Sequence, residues 1–227
     1  MTAIHQQCWD RVAVANKYIA GKGIEIGALH SPLQIPPGAK ARYVDRMSVP
    51  DLRNQYPELN AVNLVDNNII DDGERLDSIG DGTQDFVIAN HFIEHCQNPL
   101  LALRNMLRVL RPGGVLYLAI PDKRFTFDAD RPVTTLDHIF RDYEEGPAGS
   151  RMQHFEEWAT LVDKVETDKV RDHAERLMAI DYSIHFHVWT QSEMFEWIAA
   201  AQRIPGFVFD VELFLKNPGE CIWVLRK

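Results

Sequence analysis

Two apolar runs separated by one amphipathic helix constrain this chain more than anything else in it. Asp85-Phe-Val-Ile-Ala-Asn90 and Val115-Leu-Tyr-Leu-Ala-Ile120 are continuous rather than alternating, as strands covered on both faces are. Between them Leu100, Leu101, Leu103, Met106, Leu107 and Leu110 recur at helical spacing. Asn98 is placed to cap this helix and Pro99 suits its first position. Arg104, Arg108 and Arg111 suit its polar face and C-terminal end, and Pro112-Gly113-Gly114 ends it. Strand, helix and strand in this order form a βαβ unit, which requires a parallel sheet with right-handed crossovers.

The flanking sequence extends the same plan. Trp9 to Ala20 has helical spacing and stops at Gly21 and Gly23. Ile24-Glu25-Ile26-Gly27 is β-prone and ends in glycine, and Ala41 to Asp45 is a second strand ending in an acid. Ala61 to Val65 is expected as a weaker third strand, followed by a turn over residues 69–74. After Pro121 the pattern changes to a stretch rich in charge, histidine and aromatics, reaching His187, with helical spacing around 154–165 and 170–178. So long a connection inside a compact domain is usually functional, and its aromatics favour an ordered cap. Thr190 and Glu193 form a capping-box pattern for a further helix. Residues 207–214 and 221–225, joined by Asn217-Pro218-Gly219-Glu220, make a terminal hairpin.

At 227 residues the expectation is a single domain over 1–227, with 121–187 as the insertion. A net charge of −9 and the lack of a Lys/Arg cluster argue against a nucleic-acid partner. No run approaches the length of a membrane helix, so no membrane partner is expected. The first nine residues lack the basic and apolar regions of a signal peptide. Cys8, Cys96 and Cys221 are scattered and odd in number, which suits a reducing compartment. A cytoplasmic protein with a small-molecule substrate is the expectation, and a homodimer is compatible with it.

Ligands of open α/β sheets bind outside the carboxyl ends of the strands. Four features fall there: Glu25 with Gly27, Asp45 about 20 residues on, Asp72 with Gly73 in a turn, and Asn90-His91. Glycine at the first strand end lets the backbone approach a ligand closely. A carboxylate such as Asp45 accepts from both vicinal hydroxyls of a ribose. Asp72 can accept an adenine amine, although its neighbour Asp71 could serve instead.

These pieces resemble the class I S-adenosylmethionine-dependent methyltransferases, particularly their small-molecule and glycan-acting branch. The matching motifs are Glu25-Ile-Gly27, Tyr43-Val-Asp45, Asp72-Gly-Glu-Arg-Leu76, Asp85-Phe-Val-Ile-Ala-Asn90-His91-Phe-Ile-Glu94-His95, and Arg108-Val-Leu-Arg-Pro-Gly-Gly-Val-Leu-Tyr-Leu118. The resemblance spans roughly 20–121 and 188–226. It implies a Rossmann-like, seven-stranded, mostly parallel sheet with helices on both faces, an antiparallel C-terminal hairpin and a helical cap after the fifth strand. It implies S-adenosyl-L-methionine as cofactor, held by Glu25, Gly27, Ala28, Ser31, Asp45, Arg46, Asp72, Gly73, Asn90 and His91. Gly27 is followed by Ala28-Leu29-His30-Ser31-Pro32, where the family carries further glycines. Without the second glycine a pyrophosphate has no room, which argues against NAD.

By analogy with the family, the reaction is methyl transfer to a small molecule, with a hydroxyl of a sugar or specialised metabolite the foremost acceptor. A non-catalytic cofactor-binding subunit and an NAD-dependent oxidoreductase remain as alternatives. His185, His187 and Asp122 are the catalytic candidates. His185 and His187 lie two apart, so on a strand they share a face. A third ligand at a standard spacing is missing, so no metal is expected. Glu94 and His95 read as packing residues, and His138 and His154 as residues that could equally be on the surface.

Overall fold

The computed structural model describes residues 9–227; the expectations placed on Met1 to Cys8, Cys8 included, lie outside them. The described residues form one seven-stranded sheet from β1 (Lys22–Ile26), β2 (Lys40–Asp45), β3 (Ile69–Ile70), β4 (Gln84–Asn90), β5 (Leu110–Pro121), β6 (Asp210–Asn217) and β7 (Glu220–Arg226). Its order is β3-β2-β1-β4-β5-β7-β6. The first five strands run parallel, while β7 pairs antiparallel with both β5 and β6. The order reverses between β1 and β4, so those two strand ends open a crevice.

Helices α1 (Arg11–Tyr18) and α2 (Val49–Gln55) fall in the first half, α3 (Pro99–Val109) joins β4 to β5, and α4 (Leu136–Glu145), α5 (Arg151–Leu161), α6 (Val170–Ala179) and α7 (Gln191–Ala201) follow. Asn98 caps α3 by accepting from Leu101 N at 2.9 Å. Its face carries Leu100, Leu103, Met106 and Leu107, all buried, each stabilising the fold by roughly 1.5–3 kcal/mol. Alternate strand residues point to opposite faces. Val87, Ala89, Leu116, Leu118 and Trp223 meet α3 and α7 in one core, while Phe86, Ile88, Tyr117 and Val224 meet α1 in the other. The Thr190–Glu193 capping box forms as the sequence predicts.

Three elements depart from the sequence reading. The third strand is Ile69–Ile70 rather than residues 61–65. Arg53 donates to Leu59 O and Val62 O, and Val65 N bonds Leu29 O, so that run is taken up by other partners before it can pair with β2. Strand β5 begins at Leu110, five residues before the apolar run, because Leu110 already pairs with Gln84 ahead of an irregularity in register. Helix α4 is new, although Leu136, Ile139, Phe140 and Tyr143 recur at i, i+3, i+4 and i+7 and Thr135 caps it. Helices α5 and α6 pack on each other through a satellite core of Phe155, Trp158, Ala174, Ile184 and Phe186.

Candidate active site

Glu25 ends β1 almost fully buried. Its Oε1 accepts from Leu33 N at 2.8 Å, tying down the loop that follows Gly27, while Oε2 has no partner. Gly27 has φ +65°, a conformation glycine adopts without strain, and its N–H bonds Val44 O. Burial pushes the Glu25 carboxyl up to about 7, against the opposing effects of the Leu33 amide and the Arg11 charge. On β4, Asn90 has both amide atoms buried and unpartnered. Three unsatisfied polar atoms thus face the β1/β4 switch point, where a buried group without a partner costs about 1–3 kcal/mol.

Asp45 ends β2, buried, and accepts from Met47 N at 3.2 Å. Burial raises its carboxyl. Arg46 turns away from the crevice: its guanidinium binds the Asp181 carboxylate, Asp181 O and Tyr56 OH. It therefore anchors the turn at Asp181 after α6 rather than facing Asp45. Between the two acids of the next turn the geometry chooses. Asp71 is spent on Ser78 N and Oγ, whereas the exposed Asp72 engages Glu74 N with Oδ1 alone. A Cβ on Gly73 would lie 2.5 Å from the Phe92 ring and 2.7 Å from Ile26, so this glycine is needed for packing. Ala28 is buried in a turn closed by Ser31 N on Ala28 O, which leaves Ser31 and His30 exposed.

His91 takes φ +48° and bonds Glu220 Oε2 at 2.8 Å. Arg11 grips the same carboxylate. Burial opposes protonation of His91, but the Glu220 hydrogen bond and the charges of Glu94 and Glu220 raise it above the usual histidine range. This network ties α1, β4 and β7 together at the lip of the crevice.

The three catalytic candidates separate. His185 is buried, and its Nδ1 lies 2.7 Å from Asp128 Oδ2. Asp128 also takes Arg131 at 2.9 Å. Although burial opposes it, the His185 and Arg131 contacts keep Asp128 below the usual carboxylate range. Phe127, 58% exposed, tilts against the His185 ring at 4.9 Å. Asp122, by contrast, is committed to Arg124, which donates to it from Nε at 2.9 Å and from a terminal nitrogen at 2.5 Å. Burial opposes ionisation, yet these bonds hold its carboxyl low, which makes it a poor base. His187 is fully buried and stacks on Trp189 at 5.7 Å, among His138, His154 and Asp142. It lies in the interior of the segment between β5 and α7, among α4 and α5. His154, expected as a possible surface residue, is buried there too.

The sequence reading missed Asp128, which stands 57 residues from its partner and carries no local pattern. It also undervalued Glu94, fully buried with both oxygens unpartnered and raised by that burial. Glu94 lies within the fourth-strand motif, just before His95, and its backbone O accepts from Phe186 N and His187 N. That contact holds the His185 segment over the end of β4.

Residues 41–118 match a family described as a methyltransferase domain. No curated protein sequence matches the chain. Among solved structures, a SAM-dependent methyltransferase of Methanosarcina mazei is 14% identical, with 96% of this chain and 99% of that one covered and a TM-score of 0.51. A Rhodobacter sphaeroides structure described under Zn-dependent alcohol dehydrogenases is 13% identical over 94% of this chain and 87% of that one, with a TM-score of 0.54. At such identities the likeness is one of fold, which both chemistries share. The match over residues 41–118 favours the methyltransferase side of that likeness: the sheet is Rossmann-like, and the cofactor that goes with the match is S-adenosylmethionine.

Proposed function

We propose that this protein methylates a hydroxyl of a small molecule, a sugar or a specialised metabolite, bound beneath the insertion 121–187. The observation that carries this reading is the His185–Asp128 pair at 2.7 Å beside the exposed Phe127 ring. Asp128, kept ionised, fixes a proton on His185 Nδ1 and leaves Nε2 with the lone pair that takes a hydroxyl proton. Such a base contributes about 10²–10⁴-fold. The exposed Phe127 ring, backed edge-on by the buried Trp158 at 5.5 Å, offers flat apolar surface to the acceptor.

The residues present fit the cofactor. The unpartnered Glu25 oxygen and the Asn90 amide would hold its ammonium, Asp45 its ribose hydroxyls and Asp72 its adenine amine. The turn at Gly27, Ala28 and Ser31 borders the same end of the sheet. When bound, S-adenosylmethionine supplies an electrophilic methyl on a sulfonium, so the chain's task is orientation and proton removal. The oriented His–Asp pair favours catalysis over a cofactor-binding subunit without it. No helix among the described residues is long and apolar enough to cross a membrane.

Calorimetry with S-adenosylmethionine, S-adenosylhomocysteine and NAD tests the cofactor, and a mass-spectrometric screen of hydroxylated acceptors tests the reaction. Micromolar NAD binding with no response to S-adenosylhomocysteine would overturn the reading.

A further inference from the structure

Helix α4 places His138 and Asp142 one turn apart on a single face. His154 of α5 and His187 of the segment before α7 close on them, and one donor atom from each of the four residues lies within 4.8 Å of the others. His138 Nε2 is 3.0 Å from His154 Nε2 and 3.1 Å from Asp142 Oδ2, while His187 Nε2 is 3.9 Å from that oxygen. We propose that these four side chains are the ligands of a structural zinc ion that ties the insertion together.

The separations match the ion. With zinc–nitrogen and zinc–oxygen bonds of about 2.0–2.2 Å, neighbouring ligands of a tetrahedral site stand about 3.3 Å apart. Hydrogen bonding alone leaves the cluster unsatisfied. Arg141 donates to His138 Nδ1 at 3.0 Å, so His138 has one Nε2 proton to share between two acceptors. Asp142 Oδ2 is buried without an aligned donor, and His187 Nδ1 is buried with none. A cation at the centre satisfies Asp142 Oδ2 at once. Ligation through Nε2 would require the His138 proton to sit on Nδ1, the exposed Arg141 to release that nitrogen, and His187 to give up its 3.3 Å contact with Gln97 O.

The chemistry of the donors agrees. Imidazole nitrogen and carboxylate oxygen are both ordinary zinc donors, and His154 and His187 are buried beside the carboxylate. Three imidazoles and one carboxylate form a closed set of four protein ligands, the arrangement of structural rather than catalytic zinc. Ser150 Oγ donates to the other Asp142 oxygen at 2.8 Å and orients it. A pocket of about 150 Å3 bordered by His138 and His154 gives the ion a way in. The ion would join α4, α5 and the 187 segment, and so fix the backbone two residues from His185.

The test uses the full chain, stripped with a chelator and reloaded with Zn²⁺ or Co²⁺. One zinc per chain should survive gel filtration, raise the unfolding midpoint, and be replaceable by Co²⁺ with the intense visible absorption of a tetrahedral site. His154→Gln and Asp142→Asn should each weaken Zn²⁺ binding beyond the roughly 10–100-fold that an outer-shell partner costs. His95→Gln should keep it. That control matters because Glu94, His95 and His185 form a second group of donors within 4.8 Å. Zinc lost in His95→Gln but retained in His154→Gln would overturn the assignment. Because the ligand variants can also lose the fold, the unmodified chain is decisive alone: substoichiometric zinc, or Co²⁺ with only weak octahedral absorption, overturns it equally.

Discussion

His185 Nδ1 faces Asp128 Oδ2 at 2.7 Å, and Arg131 grips the other oxygen of that carboxylate at 2.9 Å. The buried guanidinium also donates to His185 O at 2.8 Å, so the imidazole is held through both its side chain and its backbone. With Nδ1 engaged by Asp128, the ring leaves Nε2 for proton transfer. Replacing His185 with Ala should reduce turnover by about 10²-fold or more while S-adenosylmethionine affinity stays within about twofold. Asp128→Asn should lower kcat with little change in KM, because it disturbs the tautomer rather than the binding surface. Equal kinetics in a folded His185→Ala protein would place the base elsewhere.

The sheet was largely legible because its strands are apolar on both faces, and continuous runs of that kind have few other uses. Asp45 and Glu25 were legible because they end such strands. Arg46 was not: sequence adjacency to Asp45 says nothing of a guanidinium that reaches Asp181, 135 positions away. Nor could spacing reveal that His187 belongs with His138 and His154 while His185, two residues earlier, belongs with Asp128. The segment from Ile184 to Val188 is not a paired strand, so the expected common face does not exist.

Asp45→Ala removes the acceptor for the ribose hydroxyls and leaves the cofactor's donors unmatched. A charge-assisted bond contributes about 1.5–3 kcal/mol, so affinity should fall roughly ten- to a hundredfold. Removing a carboxyl that burial already disfavours should leave thermal stability unchanged or higher. Unchanged affinity measured by calorimetry would show that another acid holds the ribose.

Gly73→Ala tests packing against cofactor contact. The new methyl meets the half-buried Phe92 ring at 2.5 Å, and overpacking of this kind costs about 1–3 kcal/mol. Combining it with Phe92→Leu should recover part of that loss, giving a coupling that a double-mutant cycle of thermal or denaturant unfolding measures. Additive losses would mean that Gly73 is constrained by something other than Phe92.

Glu25 links stability, pH and cofactor binding. Its carboxyl stands near 7 in the folded chain, raised by burial from an ordinary value of 4.5. A raised pKa favours the folded state while the group is protonated, fully so below about 4.5, and that contribution is lost as pH rises through 7. By pH 8 the difference amounts to about 3 kcal/mol, at about 1.4 kcal/mol per unit. Glu25→Gln keeps an acceptor for Leu33 N but cannot ionise, so without cofactor it should melt above the native chain at pH 8 and close to it at pH 5. Cofactor binding should run the other way. An ammonium beside Glu25 favours the ionised form, so the native chain should bind S-adenosylmethionine more tightly at pH 8 than at pH 6, while Glu25→Gln binds weakly with a flatter profile. Melting curves and calorimetry at both ends of this range check the pair of effects. A variant that melts lower at every pH and binds as tightly as the native chain would reduce Glu25 to a loop anchor through Leu33.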